Sequence, residues 1–235
     1  MIRIAITGAG GRMGLALIET LNQTSGAILT GAIEHPDSTL IGVDSGELAG
    51  IGRNNVMVSD SLNEVLGSFD TLIDFSTAEA TVANVARCSK EGARMVIGTT
   101  GLDKPELEAV KTAGSLIPIC MSSNFSTGVN LCFKLAELAA KVLGDDFDIE
   151  ISEAHHRHKL DAPSGTALSL GEIVASALGH DLENVAVFDR QGDIGTRRDG
   201  TVGFSSVRAG DIVGDHTVLF ASEGERVEIT HRASN

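Results

Sequence analysis

The chain has 235 residues, a formal net charge of −14, 42% hydrophobic and 21% charged residues, and neither Trp nor Tyr. That is room for one large domain or two modest ones; the acidic balance opposes phosphate-backbone binding, and without the large aromatics there is little to stack on single-stranded bases. No apolar run is long enough to span a bilayer, and Met1–Thr7 lacks the charged start and cleavage site of a signal peptide, so a soluble cytoplasmic protein is expected, with no nucleic-acid or membrane partner.

The first half alternates. Strands are predicted at Ile2–Thr7, Ile28–Glu34, Asn55–Val58, Thr71–Phe75, Arg94–Ile97 and Ile117–Met121, with helices at Arg12–Asn22, Ala78–Lys90 and Pro105–Ala113 between most of them. Short apolar strands alternating with amphipathic helices predict a parallel sheet covered on both faces. His35–Arg53 breaks the rhythm with five glycines or prolines and reads as a long irregular excursion.

After Asn124 the pattern changes. Gly128–Leu143 reads as an amphipathic helix, followed by a strand at Phe147–Ala154, a basic segment and a helix at Gly165–Leu178. Strand-like runs follow at Asn184–Phe188, Thr201–Arg208, His216–Ala221 and Arg226–His231. The expected fold is therefore α/β: a parallel-sheet domain over residues 1–126, then an α+β domain with a mixed or antiparallel sheet over 127–235. Cys88, Cys120 and Cys132 stand among apolar neighbours without CxxC spacing and are expected to be reduced core thiols.

Ile2–Thr7 leads directly into Gly8-Ala9-Gly10-Gly11-Arg12-Met13-Gly14 and a helix. Strict GxGxxG spacing fails at Met13, but Gly8, Gly11 and Gly14 fit the GxxGxxG form, in which a tight turn lets the backbone approach a pyrophosphate at the helix N-terminus. Glu34 follows twenty residues after Gly14, where a carboxylate accepts hydrogen bonds from an adenosine ribose. It would repel a 2′-phosphate, and His35 offsets that only weakly, so NADH is expected to be used at least as well as NADPH. Gly98-Thr99-Thr100-Gly101 and Ser122-Ser123-Asn124-Phe125 follow strand ends and are placed to meet the nicotinamide half. For Asn124, plain turn or capping chemistry is an equal reading.

His155, His156, Arg157, His158 and Lys159 gather positive charge in an acidic protein, and the Pro163–Thr166 turn that opens a helix comes soon after. Ser164 can cap that helix, leaving N–H groups at Gly165 and Thr166 for an anion. Arg157 and Lys159 would repel a metal ion, and no HExxH or paired-Cys spacing is present, so no metal site is expected.

The stretch Glu153–Ala167, with Gly8–Gly14, Gly98–Gly101 and Asn124-Phe125-Ser126, resembles the bacterial 4-hydroxy-tetrahydrodipicolinate reductase (dihydrodipicolinate reductase) family of diaminopimelate and lysine biosynthesis. The resemblance runs from Met1 to Asn235 and includes Val207–Gly214 and Glu228–His231. It implies a Rossmann-like nucleotide domain, NADH or NADPH as cofactor, and hydride transfer to C4 of a small cyclic imine-containing dicarboxylate. By the same resemblance His155 and Lys159 are catalytic, and His156, Lys159, Gly165 and Thr166 bind the substrate. The resemblance also implies that Gly8, Ala9, Gly10, Gly11, Arg12, Met13, Glu34, His35, Gly98, Thr99, Thr100, Ser122, Ser123, Asn124 and Phe125 hold the cofactor. A homotetramer assembled through the second domain's sheet is implied as well.

There are two departures. Many relatives have Arg where this chain has His35. The family also normally continues past the position of Asn235 with a helix that completes the nucleotide domain, and its absence is expected to expose apolar surface at ~25 cal/mol per Å². An alternative expectation is therefore a shortened chain that binds dinucleotide without efficient turnover. An amino-acid dehydrogenase on the same scaffold and a His-cluster metallohydrolase are further rivals.

Overall fold

A computed structural model describes residues 1–234, which divide into two compact units at Ser122/Ser123. The first unit runs β1 (Ile2–Thr7), α1 (Arg12–Gln23), β2 (Ala27–Ile33), α2 (Ser45–Leu48), β3 (Val58–Ser59), β4 (Thr71–Asp74), α3 (Ala78–Glu91), β5 (Arg94–Ile97), α4 (Lys104–Ala113) and β6 (Ile119–Met121). Its six strands are ordered β3-β2-β1-β4-β5-β6 and all pair in parallel. The order reverses between β1 and β4, which makes the turns after these two strands the natural ligand crevice.

Local chemistry sets the helix ends. Thr77 caps α3 by accepting from Ala80 N–H, and Gly92 at φ 72° ends it. Asp103 and Glu106 form a reciprocal capping box on α4. Alternation along β1 sends Ile4 and Ile6 into a core with Ile18, Ala32 and Val58, while Ala5 joins Leu72, Val85, Cys88, Met95 and Val110. Both faces of the sheet are thus buried, each large aliphatic side chain contributing ~1.5–3 kcal/mol.

The irregular excursion has an internal brace. The Asp44 carboxylate is buried and accepts backbone N–H groups from Gly46 (2.9 Å), Glu47 (3.1 Å), Asn54 (3.1 Å) and Asn55 (2.8 Å). This capture corrects the strand expected at Asn55–Val58. Asn54 and Asn55 donate to Asp44, Asn55 turns to φ 61°, and only Val58–Ser59 pair with β2. Cys120 is also corrected: Cys88 is buried, but Cys120 lies exposed on β6, the last strand in the sheet order.

The second unit contains α5 (Thr127–Leu143), β7 (Asp148–His155), α6 (Gly165–Ala177), α7 (Leu182–Val185), β8 (Ala186–Val187), β9 (Val202–Arg208), β10 (Gly214–Ser222) and β11 (Glu225–Ala233). Its sheet is mixed, ordered β11-β10-β7-β9-β8, with β10 antiparallel to both neighbours and β7, β9 and β8 mutually parallel. Ile149, Ile151, Phe204, Val218 and Phe220 pack under Ala136, Ala140, Leu170 and Val174 of the two long helices. The strand expected at Asn184–Phe188 shrinks to Ala186–Val187, because Asp181 caps a short helix by accepting from Glu183 N–H and draws Asn184 into it.

Candidate active site: a nucleotide cleft and a buried carboxylate–imidazole cluster

In the first unit, a cleft of about 640 Å³ opens beside the crossover and is lined by Gly8, Gly10, Gly11, Glu34, His35 and Ser76 among others. Gly8 adopts φ 73°, and a Cβ there would stand 2.4 Å from the Phe75 carbonyl oxygen. Gly14 carries α1 across the turn so closely that a Cβ would meet the Gly8 oxygen at 2.2 Å. Gly11 is the N-cap of α1 but, unlike Thr77 and Asp103, brings no capping side chain to the helix start. A bare helix start beneath a glycine turn is a phosphate cradle that side chains would fill, and it fits a dinucleotide pyrophosphate.

Glu34 reaches back into this turn, accepting from Gly10 N–H at 2.8 Å and from His35 N–H at 3.0 Å. Ala9 N–H is bonded to the Ile33 carbonyl at 3.1 Å, so that residue serves the turn's shape. His35 is exposed and faces its own loop, its Nδ1 accepting from Asp37 N–H. After β5, Gly98 lies against the Phe75 ring, where a Cβ would come within 2.1 Å. Thr99 is buried against Asp74, and Thr100 is exposed. Arg12 and Met13 are exposed in the first turn of α1.

Asp74 was not anticipated. It is fully buried and accepts from Ser76 N–H (3.0 Å), Ser76 Oγ (2.5 Å) and Asn84 Nδ2 (3.1 Å), joining the end of β4 to α3. Arg87, also missed, is the sole lysine or arginine lining the cleft among the described residues. A polar residue closing an apolar strand was the available signal for Asp74; Arg87 carried none.

Ser122 donates its N–H to the Ile97 carbonyl within the first unit. Ser123 and Asn124 stand in the second, where Ser123 Oγ lies 3.1 Å from Ser169 Oγ and Asn124 Nδ2 donates to Thr166 Oγ1 at 3.3 Å. Asn124 Oδ1 also accepts from the N–H of Ser126, which caps α5, so turn chemistry is one of its roles. Phe125 is exposed.

In the second unit the basic segment leaves the buried end of β7. His155 is the last residue of that strand, and its Nδ1 lies 2.6 Å from Glu153 Oε2. Arg208 of β9 donates to both Glu153 oxygens at 2.7 Å, and Ser164 N–H donates to Oε1 at 3.2 Å. Burial pushes the Glu153 carboxyl up, but hydrogen bonds from Arg208, Ser206 and His155 outweigh it and hold the pKa down to about 2. Ser164 caps α6, its Oγ accepting from Ala167 N–H, while Gly165 and Thr166 open the helix. Lys159 Nζ pairs with Asp161 Oδ1 at 2.9 Å, and His156 Nδ1 is buried without a hydrogen-bond partner. No group of three or more His, Cys, Asp or Glu side chains arranged to hold a metal occurs among the described residues.

The structure thus ties His155, at the end of β7, through Glu153 to the cap of α6 where Gly165 and Thr166 begin, with His156 and Lys159 on the segment between. The sequence pattern assigns no role to Glu153 or Arg208. The signal for Glu153 was alternation: Ile149, Ile151, Glu153 and His155 share the inward face of β7, where an acid has to be paired.

Residues 2–125 match the family model described as "Dihydrodipicolinate reductase, N-terminus", and residues 128–235 match its C-terminal counterpart. A curated protein of Saccharophagus degradans, named 4-hydroxy-tetrahydrodipicolinate reductase, is 56% identical over 233 residues, covering 99% of this chain and 87% of that one. The dipicolinate-bound dihydrodipicolinate reductase of Paenisporosarcina sp. TG-14 matches with a TM-score of 0.76 at 26% identity, over 100% of this chain and 89% of that one. The WlbA dehydrogenase of Thermus thermophilus, solved with NAD and UDP-GlcNAcA, has a TM-score of 0.62 at 13% identity, over 98% of this chain and 84% of that one. This last likeness is one of fold alone.

Proposed function

The chain belongs to the dihydrodipicolinate reductase family, and from that premise we propose how its own residues carry the reaction. The activity is NAD(P)H-dependent reduction of 4-hydroxy-tetrahydrodipicolinate to tetrahydrodipicolinate in diaminopimelate and lysine biosynthesis. The observation that carries this is the 56% identity to the curated reductase across nearly the whole chain, with both halves of the family model present. The shortened, binding-only alternative is accordingly not favoured.

Residues 1–126 serve as the nucleotide domain and 127–235 as the substrate and assembly domain. Gly8–Met13 hold the pyrophosphate at the uncapped start of α1. Glu34 exchanges its bond to Gly10 N–H for the adenosine ribose hydroxyls, and with only His35 beside it NADH serves at least as well as NADPH. Gly98–Thr100 and Ser122–Phe125 meet the nicotinamide half, whose bound reduced form supplies the hydride.

A small cyclic dicarboxylate suits the second site, and the solved relative that carries dipicolinate supports this class of ligand. Gly165 and Thr166 receive one carboxylate at the start of α6, where N–H groups and the helix dipole favour an anion. His156 holds a carboxylate as well, giving its unpartnered Nδ1 an acceptor. Lys159 trades its exposed partner Asp161 for substrate, and Lys159 or His155 delivers the proton that completes the reduction.

The protein acts in the cytoplasm as a homotetramer built through the second unit's sheet. Support comes from apolar side chains left exposed on its strands, Val207 and Val227 among them. No helix among the described residues is long and apolar enough to cross a membrane.

The deciding experiment follows oxidation of NADH and NADPH with freshly generated 4-hydroxy-tetrahydrodipicolinate. Turnover with both cofactors, or with NADH preferred, and competition by pyridine-2,6-dicarboxylate are expected. A folded chain that binds NADH but does not turn over would overturn the reading.

A further inference from the structure

We propose that Glu153 is a positioning residue that sets the reactive nitrogen of His155 and, through the same carboxylate, registers that ring against the anion-binding start of α6. This rests on the assignment of His155 as an acid. Glu153 is 3% exposed and uses both oxygens. Oε2 takes His155 Nδ1 and one Arg208 nitrogen; Oε1 takes the other Arg208 nitrogen and the Ser164 N–H. One carboxylate thus joins the end of β7, the end of β9 and the cap residue of α6. Arg208 extends the clamp by donating to the Asp161 carbonyl at 2.6 Å, which holds the loop that carries Lys159.

The chemical consequence follows from donor–acceptor accounting. An ionised carboxylate only accepts, so the proton between Glu153 and His155 resides on Nδ1. Acting as an acid, the ring is doubly protonated, and Nε2–H is the proton it gives to substrate while Nδ1–H stays hydrogen-bonded to Glu153. Gly214 stands next to Nε2, and a side chain there would crowd this nitrogen, its Cβ lying 3.1 Å from it. Arg208 cannot give up its charge, so the carboxylate stays an acceptor throughout turnover. The fixed register matters because a donor held against a bound carboxylate gains its rate from orientation.

The test compares Glu153→Gln with His155→Ala and the wild type. A glutamine keeps the shape but has one acceptor oxygen for donors from Arg208, Ser206, Ser164 and His155 and carries no charge, so the imidazolium loses its counter-charge, the amide N–H₂ meets the ring, and the neutral ring carries its proton on Nε2. We expect Glu153→Gln to lower kcat by at least roughly 10-fold while the NADH dissociation constant changes by less than about 2-fold. In ¹⁵N spectra of histidine-labelled protein, His155 should keep its proton on Nδ1 in the wild type and on Nε2 in the variant. Wild-type turnover and an unchanged spectrum in Glu153→Gln, with His155→Ala inactive, would overturn the positioning role alone. An active His155→Ala would instead remove the acid assignment, and this proposal with it. If Glu153→Gln does not fold, the wild-type spectrum still decides: a neutral His155 protonated on Nε2 would refute the proposal.

Discussion

His216 Nε2 lies 2.9 Å from Ser164 Oγ, so the residue that caps α6 is itself held by a buried imidazole on β10. Burial, and next the neighbouring His155, push the His216 pKa down to about 4. An unfolded histidine takes its proton near ~6.5. The unfolded chain therefore binds more protons between these values, and stability falls as pH drops from about 6.5 to about 4, by on the order of 3 kcal/mol. Glu153 acts in a lower window. Its depressed pKa contributes stability that is present above about 4.5 and lost as pH falls towards about 2. Thermal melts across this range should show both slopes, and His216→Gln should flatten only the upper one. An unchanged upper slope would show that another group is responsible.

Lys159 is mostly buried, and its ammonium is held by Asp161; the role proposed for it gives that ammonium to a substrate carboxylate. Lys159→Ala should lower kcat by roughly 10²–10⁴-fold with little effect on NADH affinity, because the nucleotide cleft lies in the other unit. Steady-state kinetics alongside an NADH titration separate the two effects. Near-wild-type turnover would end the assignment of Lys159 to the chemistry.

Gly14 offers a test of the nucleotide turn in which helix propensity and packing predict opposite signs. Alanine is favoured over glycine inside a helix by ~1 kcal/mol. Here its Cβ would stand 2.2 Å from the Gly8 oxygen and 2.6 Å from the Ala9 oxygen, both backbone atoms with little freedom to yield. Gly14→Ala should therefore lower stability by ~1–3 kcal/mol and weaken NADH binding, since the displaced atoms belong to the Gly8 turn. A raised melting temperature with unchanged affinity would mean the turn is looser than its geometry implies.

The thiols should separate in reactivity. Burial, followed by the charge of Asp74, pushes the Cys88 thiol up to about 12, which leaves almost no thiolate at neutral pH. Cys120 is exposed on the last strand of the sheet. Ellman's reagent on the native protein should modify Cys120 quickly and Cys88 only after unfolding, with peptide mapping to identify the sites. Rapid native labelling of Cys88 would contradict its burial.

Much of this protein follows from residues close together in the chain. The alternation of short apolar runs with amphipathic helices determined the parallel sheet, because period and propensity act over a single element. The Gly8–Gly14 turn and the Ser164 cap were legible for the same reason, since backbone freedom and side-chain capping involve residues a few positions apart. Only the tertiary structure decided what those elements place side by side. Arg208 meets Glu153 from 55 positions away, and His216 meets Ser164 from 52, through strand registers that no local pattern encodes. The exposure of Cys120 likewise depends on which strand ends the sheet, and the strand lost at Asn55 depends on the carboxylate of Asp44 eleven residues earlier. The chain's neighbours in sequence set conformation, but pairing, burial and the protonation that follows from them belong to neighbours in space.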